Sequence, residues 1–285
     1  MKKISTIKEF RKWRKNISGS IGFVPTMGAL HEGHLSLVSK SNNTCKNTIV
    51  SIYINPAQFA QGEDLDTYPK TIKSDLDKLS NYKVDCIFLP GNTEMYPDGI
   101  NAGNYNNNLF NLLEGKSRPG FFNGVTTIVA KLFNIVEPSH AFFGKKDFQQ
   151  LCIIKKLVSD LKYPIQIVPC PIIREKNGLA MSSRNTYLTE HEFSISATIF
   201  KALKSGKTLL KNGELNCEKL KNRITKIING EPQFKIDYVS VANKNTLEEI
   251  EGKLGGEILV SVAALLGQTR LIDNFTYSLP DLHKR

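Results

Sequence analysis

The 285-residue sequence has no uninterrupted apolar run of about 18 residues, the length a helix needs to cross a bilayer. Its opening, Met1-Lys2-Lys3, leads into mixed charged and apolar residues, without the apolar core of a secretory signal. No membrane association is expected. Cysteine is sparse and poorly spaced for pairing. The five residues, Cys45, Cys86, Cys152, Cys170 and Cys217, form no C-x-x-C pair, and Cys86 sits in the apolar run Val84-Asp85-Cys86-Ile87-Phe88. They read as small buried hydrophobes in a reducing cytoplasm, which excludes a disulfide framework and disfavours a zinc site.

Blocks of like charge are also missing. The net charge is +11, yet Lys and Arg are scattered and no run of five or six like charges occurs. Without clustered cations or an interleaved aromatic platform, a nucleic-acid partner is not expected, although the field still favours an anionic substrate. Two nucleotide signatures are absent. No G-x-G-x-x-G follows a predicted strand, which argues against dinucleotide binding of the usual oxidoreductase kind. Gly115-Lys116-Ser117 ends like a Walker A motif, but Phe110 occupies the position that needs glycine.

What is present is alternation. Thr6-x-x-Glu9 predicts a capping box opening a helix to about Trp13. Apolar, β-favouring runs at 21–25, 48–54, 84–89, 140–143 and 165–168 predict five strands. Helical patterns lie between them: from about His34, around Leu76 and Leu79, at 124–136 and at 148–161. A longer Asn-rich connection spans 91–108. Continuous apolar strands separated by helices predict a parallel sheet covered on both faces, with ligands outside the carboxyl ends of its strands. After about Arg174 the pattern changes. Helical periodicity over 189–229 precedes strand-like runs at 235–242, 257–262 and 269–277, with Gly255-Gly256 as a turn signal. The fold class is therefore α/β, a Rossmann-like parallel-sheet domain over residues 1–173 followed by a smaller C-terminal α+β domain over 174–285.

Four polar clusters carry chemical promise on this scaffold. Residues 25–34, PTMGALHEGH, lie between the first predicted strand and a helix. A helix N-terminus offers unpaired N–H groups and partial positive charge, and His31 and His34 can donate hydrogen bonds to phosphate oxygens there. A helix cap with two surface histidines is the plainer reading of such a motif alone. Metal ligation is disfavoured because the other histidines, His140, His191 and His283, have no motif spacing. Met181-Ser182-Ser183-Arg184 suits a phosphate clamp, or else a turn. Gly144-Lys145-Lys146-Asp147 again follows a strand; a lysine there can neutralise a phosphoryl group, while Asp147 reads equally as a helix cap. Asn55-Pro56-Ala57-Gln58-Phe59 offers amides for a small polar substrate, or a plain turn. Their convergence on one expected edge of the sheet is the stronger argument.

At these residues the sequence resembles the pantothenate synthetase (pantoate–β-alanine ligase) family, within the nucleotidyltransferases with HIGH-type motifs. The resemblance covers essentially the whole chain. It rests on PTMGALHEGH at 25–34, NPAQF at 55–59, GEDLDTYPK at 62–70 and MYPDG at 95–99. LEGKSRPGFFNGV at 113–125, FFGKKDFQQL at 142–151 and REKNGLAMSSRN at 174–185 complete it. It implies condensation of pantoate with β-alanine, using ATP and Mg²⁺, through a pantoyl-adenylate. It further implies that His31, His34, Lys146, Ser182, Ser183 and Arg184 are catalytic, the last four clamping the β- and γ-phosphates. Met27, Gly144, Asp147, Ile173 and Met181 would complete the ATP site, with Asp147 on the ribose. Gln58 and Gln150, with Met27, would hold pantoate, and Gln58 would also meet β-alanine. Asn55 and Tyr68 would line the site. The C-terminal domain would act as a lid, and a homodimer is implied.

Two positions depart from the family pattern. Phe121-Phe122 stands where many relatives have His-Phe, and Lys145 stands where many have glutamate. Neither removes a residue assigned to the chemistry. The rivals are another HIGH-type nucleotidyltransferase acting on a related small substrate, which has no reason to keep NPAQF and KKDFQQ, and a basic nucleic-acid-binding protein suggested by charge alone.

Overall fold

The computed structural model describes residues 1–60, 62–103, 105 and 107–279. Asn104 and Asn106 of the Asn-rich connection, and His283, lie outside them. Strands β1 to β9 are Lys2–Ile4, Ile21–Thr26, Asn47–Ile52, Cys86–Phe88, His140–Gly144, Gln166–Cys170, Phe234–Asn243, Glu257–Leu266 and Thr269–Ser278. Helices α1 to α9 are Ile7–Arg14, Glu32–Thr44, Ile72–Ser80, Asn92–Met95, Leu113–Ser117, Phe121–Val136, Phe148–Asp160, Glu190–Lys211 and Cys217–Ile228. The chain divides into two compact units. The first comprises Met1–Phe110, Arg118–Lys145 and Gln150–Ile173; the second comprises Asn111–Ser117, Lys146–Gln149 and the described chain from Arg174 on.

The first unit is built on a parallel sheet of order β1-β4-β3-β2-β5-β6. Successive side chains alternate between its faces. Phe23 and Phe143 enter a core with Phe10, Val129 and Phe133, whereas Val24 and Phe142 enter a second core with Leu35, Val38 and Leu79. Burial on both faces explains why these strands read as continuous apolar runs. Helix α1 starts where Thr6 Oγ1 accepts Glu9 N at 3.2 Å, while Ile7 N donates to Glu94 Oε2 at 2.7 Å. Strand β1 was not predicted: its two lysines are exposed and only Ile4 is buried, as befits a charged edge strand. The strand at 165–168, predicted fifth, is accordingly the sixth.

The strand order reverses between β2 and β5. Strand β2 pairs with β3 through all six residues, but with β5 only at Gly22–His140 and Phe23–Ala141. Pro25, which has no N–H to give, stands beyond the end of that second ladder. The carboxyl ends of β2 and β5 thus part at the switch point, where open α/β sheets bind ligands.

The second unit carries an antiparallel sheet of order β7-β8-β9. Ile199 and Leu203 of α8 and Leu220 and Ile224 of α9 share its core with Val260 and Val262. Helix α8 opens with a reciprocal capping box between Thr189 and Glu192. Two segments distant in sequence are tied to this sheet. Glu114 Oε1 accepts from Tyr238 Oη at 2.7 Å and from Arg270 at 3.0 Å, and Asn274 Nδ2 donates to the Lys146 carbonyl at 2.8 Å. Burial, with Glu114 alongside, pushes the Tyr238 hydroxyl well above its ordinary pKa, so it serves as a donor.

Candidate active site

The predicted histidine pair caps α2. Gly33 N donates to His31 Nδ1 at 3.1 Å and His31 N donates to His34 Nδ1 at 3.4 Å, a capping box made of two imidazoles. The rings lie against each other with centroids 4.1 Å apart and planes tilted by 38°. Because each Nδ1 accepts from a backbone N–H, each neutral ring carries its proton on Nε2. The plain cap and the functional reading are thus compatible: capping through Nδ1 fixes the tautomer that makes Nε2–H a donor.

The loop before this cap is held from beneath. Gly28 has φ +86° and Ala29 φ +49°. Ala29 N and Leu30 N donate to Asp75 Oδ2 and Oδ1 at 3.0 and 2.8 Å, and Lys78 Nζ donates to the Leu30 carbonyl at 2.5 Å. Neither Asp75 nor Lys78 was singled out from sequence, since an aspartate in a first helical turn reads as a dipole partner.

Asn55 and Gln58 occupy a 3₁₀ turn, Pro56–Gln58, after β3. Asn55 is 1% exposed. Its Oδ1 accepts from Ala57 N at 3.3 Å and Tyr96 Oη at 2.7 Å; its Nδ2 donates to Gln58 Oε1 and to the Gly124 carbonyl, each at 3.1 Å. Burial lifts the Tyr96 pKa to about 12, which keeps this donor protonated. Gln58 Nε2 lies 2.8 Å from Met27 Sδ, which joins this turn to the histidine loop. Arg118 pairs with Glu63 through two 2.6 Å bonds and covers the Phe121 ring at 3.7 Å. Tyr68 is buried edge-on to Phe59 at 5.8 Å. Tyr96, Glu63 and Arg118 lie in or beside the quoted motifs, but nothing local in those motifs discloses their partners.

Gly144 ends β5, half-buried Gln150 lies in the first turn of α7, and Ile173 follows β6; all three belong to the first unit. Lys146, Asp147, Met181, Ser182, Ser183 and Arg184 belong to the second. Lys146 Nζ lies 3.3 Å from Asp147 Oδ1, immediately before α7. Ser182 Oγ caps the 3₁₀ turn Ser183–Tyr187 by accepting from Arg184 N at 3.3 Å. Behind that turn, Arg174 grips Asp273 at 2.5 and 2.9 Å and reaches the Gly178 carbonyl at 3.0 Å. Burial raises the Asp273 pKa against the opposing pull of Arg174. Among the described residues no three His, Cys, Asp or Glu side chains gather as a metal cage, and no disulfide joins the cysteines. Burial pushes the Cys86 thiol up to about 12 and Cys170 to about 11, so both behave as small hydrophobes.

A parallel sheet whose switch point carries an imidazole-capped helix defines an α/β protein with a helix N-terminus at the edge of the sheet where such folds bind anions. The chain belongs to the pantoate–β-alanine ligase family, whose model matches residues 2–276. Pantothenate synthetase of Caldicellulosiruptor saccharolyticus is 47% identical over 272 residues, 95% of this chain and 96% of the relative. That of Clostridium botulinum (strain ATCC 19397 / Type A) is 46% identical over 280 residues, 97% and 99% of the two chains. The crystal structure of pantothenate synthetase from Thermus thermophilus matches with a TM-score of 0.91 at 37% identity, over 96% of this chain and 99% of that one. Pantoate–β-alanine ligase from Francisella tularensis, complexed with β-γ ATP and β-alanine, gives 0.76 at 36% identity, over 96% and 97%.

Proposed function

We propose that this chain joins pantoate to β-alanine, releasing AMP and pyrophosphate through a pantoyl-adenylate. The carrying observation is the imidazole-capped helix at the switch point of a pantoate–β-alanine ligase family member. A carboxylate is a poor electrophile. Attack of the pantoate carboxylate on the α-phosphorus of ATP expels pyrophosphate and leaves AMP as a good leaving group. The β-alanine amine then attacks the acyl carbon, AMP departs, and the amide forms.

In this reading Nε2–H of His31 and His34 donates to phosphate oxygens as charge develops in the transition state. Lys146, Ser182, Ser183 and Arg184 clamp the β- and γ-phosphates. Met27, Gly144, Ile173 and Met181 surround the nucleotide, with Asp147 on its ribose. Gln58 and Gln150 orient pantoate, Gln58 also meets β-alanine, and Tyr68 lines the site. Asn55, whose polar atoms are engaged by the protein, supports Gln58 from behind. Magnesium would enter with ATP as the substrate complex and would offset charge on its phosphates, in keeping with its preference for substrate phosphates over dedicated protein cages. Residues 174–285 act as a lid that keeps water from the acyl-adenylate. The enzyme works as a homodimer in the cytoplasm.

The test is release of pyrophosphate and AMP from MgATP. Pyrophosphate is expected with pantoate alone, and AMP only once β-alanine is added. A nucleotide left on the product would favour the rival nucleotidyltransferase, and release of neither would reject pantoate as the substrate.

A further inference from the structure

The loop from β2 to α2 is short and turns through two residues of positive φ, Gly28 at +86° and Ala29 at +49°. The second is unfavourable for a residue with a Cβ, so the surroundings must hold it. The residue that does so is Asp75, on the first turn of α3 and 1% exposed. A carboxylate buried this deeply is costly unless donors surround it. Here Ala29 N and Leu30 N supply two hydrogen bonds, at 3.0 and 2.8 Å, and Thr71 Oγ1 a third at 3.2 Å. One turn along α3, Lys78 Nζ donates to the Leu30 carbonyl. Leu30 is therefore clamped at its N–H and its C=O by the same helix, and His31 is the next residue. Gly28 also packs closely, since a Cβ there would stand 3.1 Å from Asp75 Oδ2.

We infer that Asp75, seconded by Lys78, is a positioning residue for the histidine pair. It acts through the backbone. Fixing Ala29 and Leu30 delivers His31 in the extended geometry of the cap, φ −133° and ψ 174°, from which the two Nδ1 atoms accept and the two Nε2–H donors are set. Donors aimed at developing charge are sensitive to small displacements, so a helix that supplies none of those donors still controls the rate. This inference rests on the reading of His31 and His34 as phosphate donors.

The experiment is pantoate-dependent exchange of pyrophosphate into ATP by the full chain and its D75N, H34A and D75N/H34A variants. D75N conserves shape but sets an amide N–H against a backbone N–H. It is expected to lower kcat by about 10- to 100-fold with little change in the KM for ATP, the scale set by misplacing a catalytic group by about 1 Å. The double variant is expected to lose less than the product of the two single losses, because Asp75 acts in part through His34, while His31 remains for it to position. A D75N rate equal to wild type, or losses that multiply in the double variant, would overturn the inference. Should D75N fail to fold, K78M, which removes one bond from a half-buried side chain, is expected to lose about 3- to 10-fold with the same non-additivity; a wild-type or multiplying K78M would overturn it. An unimpaired H34A would remove the histidine reading and this inference together, whereas an unimpaired D75N beside an impaired H34A would remove only this inference.

Discussion

A single imidazole can be a cap and a catalyst at once, because its two nitrogens do different things. His34 accepts the His31 N–H through Nδ1, which leaves the proton on Nε2. His34→Ala removes the donor and half of the capping box. Loss of one transition-state donor costs about 100- to 1,000-fold in turnover, whereas loss of a cap costs about 1 kcal/mol of stability. Pyrophosphate exchange should therefore collapse while thermal unfolding shifts by a few degrees, and near-normal turnover would remove His34 from the mechanism. Lys145 is exposed and adds a positive charge beside Lys146. An exposed pairing is worth about 0.2–1 kcal/mol, so Lys145→Glu is expected to raise the KM for ATP by about 1.4- to 5-fold, and less at high salt. Unchanged ATP kinetics would show that the extra cation is silent.

Among the elements, the turn that carries Gln58 depends on a helix for its placement. A Cβ on Gly124 of α6 would stand 2.0 Å from the Ala57 carbonyl oxygen, far inside contact distance with a rigid backbone atom. The close approach lets the Gly124 carbonyl take the Asn55 amide, and Asn55 in turn holds Gln58. Gly124→Ala must push the turn or the helix aside, at about 1–3 kcal/mol for overpacking. Chemical denaturation should show that loss, and isothermal titration should show weaker pantoate binding at unchanged ATP affinity. Equal weakening for both ligands would point to general loosening instead.

For the molecule as a whole, the pair between Arg174 and Asp273 joins the first residue of the last chain segment to β9 within the second unit. Asp273 is 3% exposed. Arg174→Ala leaves its charge buried and unpaired, which costs about 3–5 kcal/mol. The pH dependence has a definite sign. Burial already raises the Asp273 pKa in the folded state, so folding favours the protonated form; that contribution is present below the ordinary carboxylate value and is lost as pH rises through the folded value. Without Arg174 the folded value rises further. The defect of the variant, read by denaturant unfolding, is therefore expected to shrink as pH falls into the range just above the ordinary carboxylate value. A defect that stays constant with pH would mean that packing of Arg174 over Phe200, at 4.2 Å, is what was lost.

The sequence by itself determined the α/β alternation, the change of pattern near Arg174 and the polar loops that follow β2, β3 and β5, because apolar periodicity and contiguous polar motifs are local properties. The histidine cap was legible for that reason: its partners lie within three residues of one another. Strand β1 escaped because an edge strand with two exposed lysines has no apolar period. Only the tertiary structure decided that Asp75 holds Ala29 and Leu30 across some 45 residues of chain, that Gly124 seats the Asn55 turn, and that residues 111–117 and 146–149 pack with the C-terminal sheet. Those decisions belong to buried hydrogen bonds and close approaches between distant segments, whose donors and acceptors look ordinary until the fold brings them together.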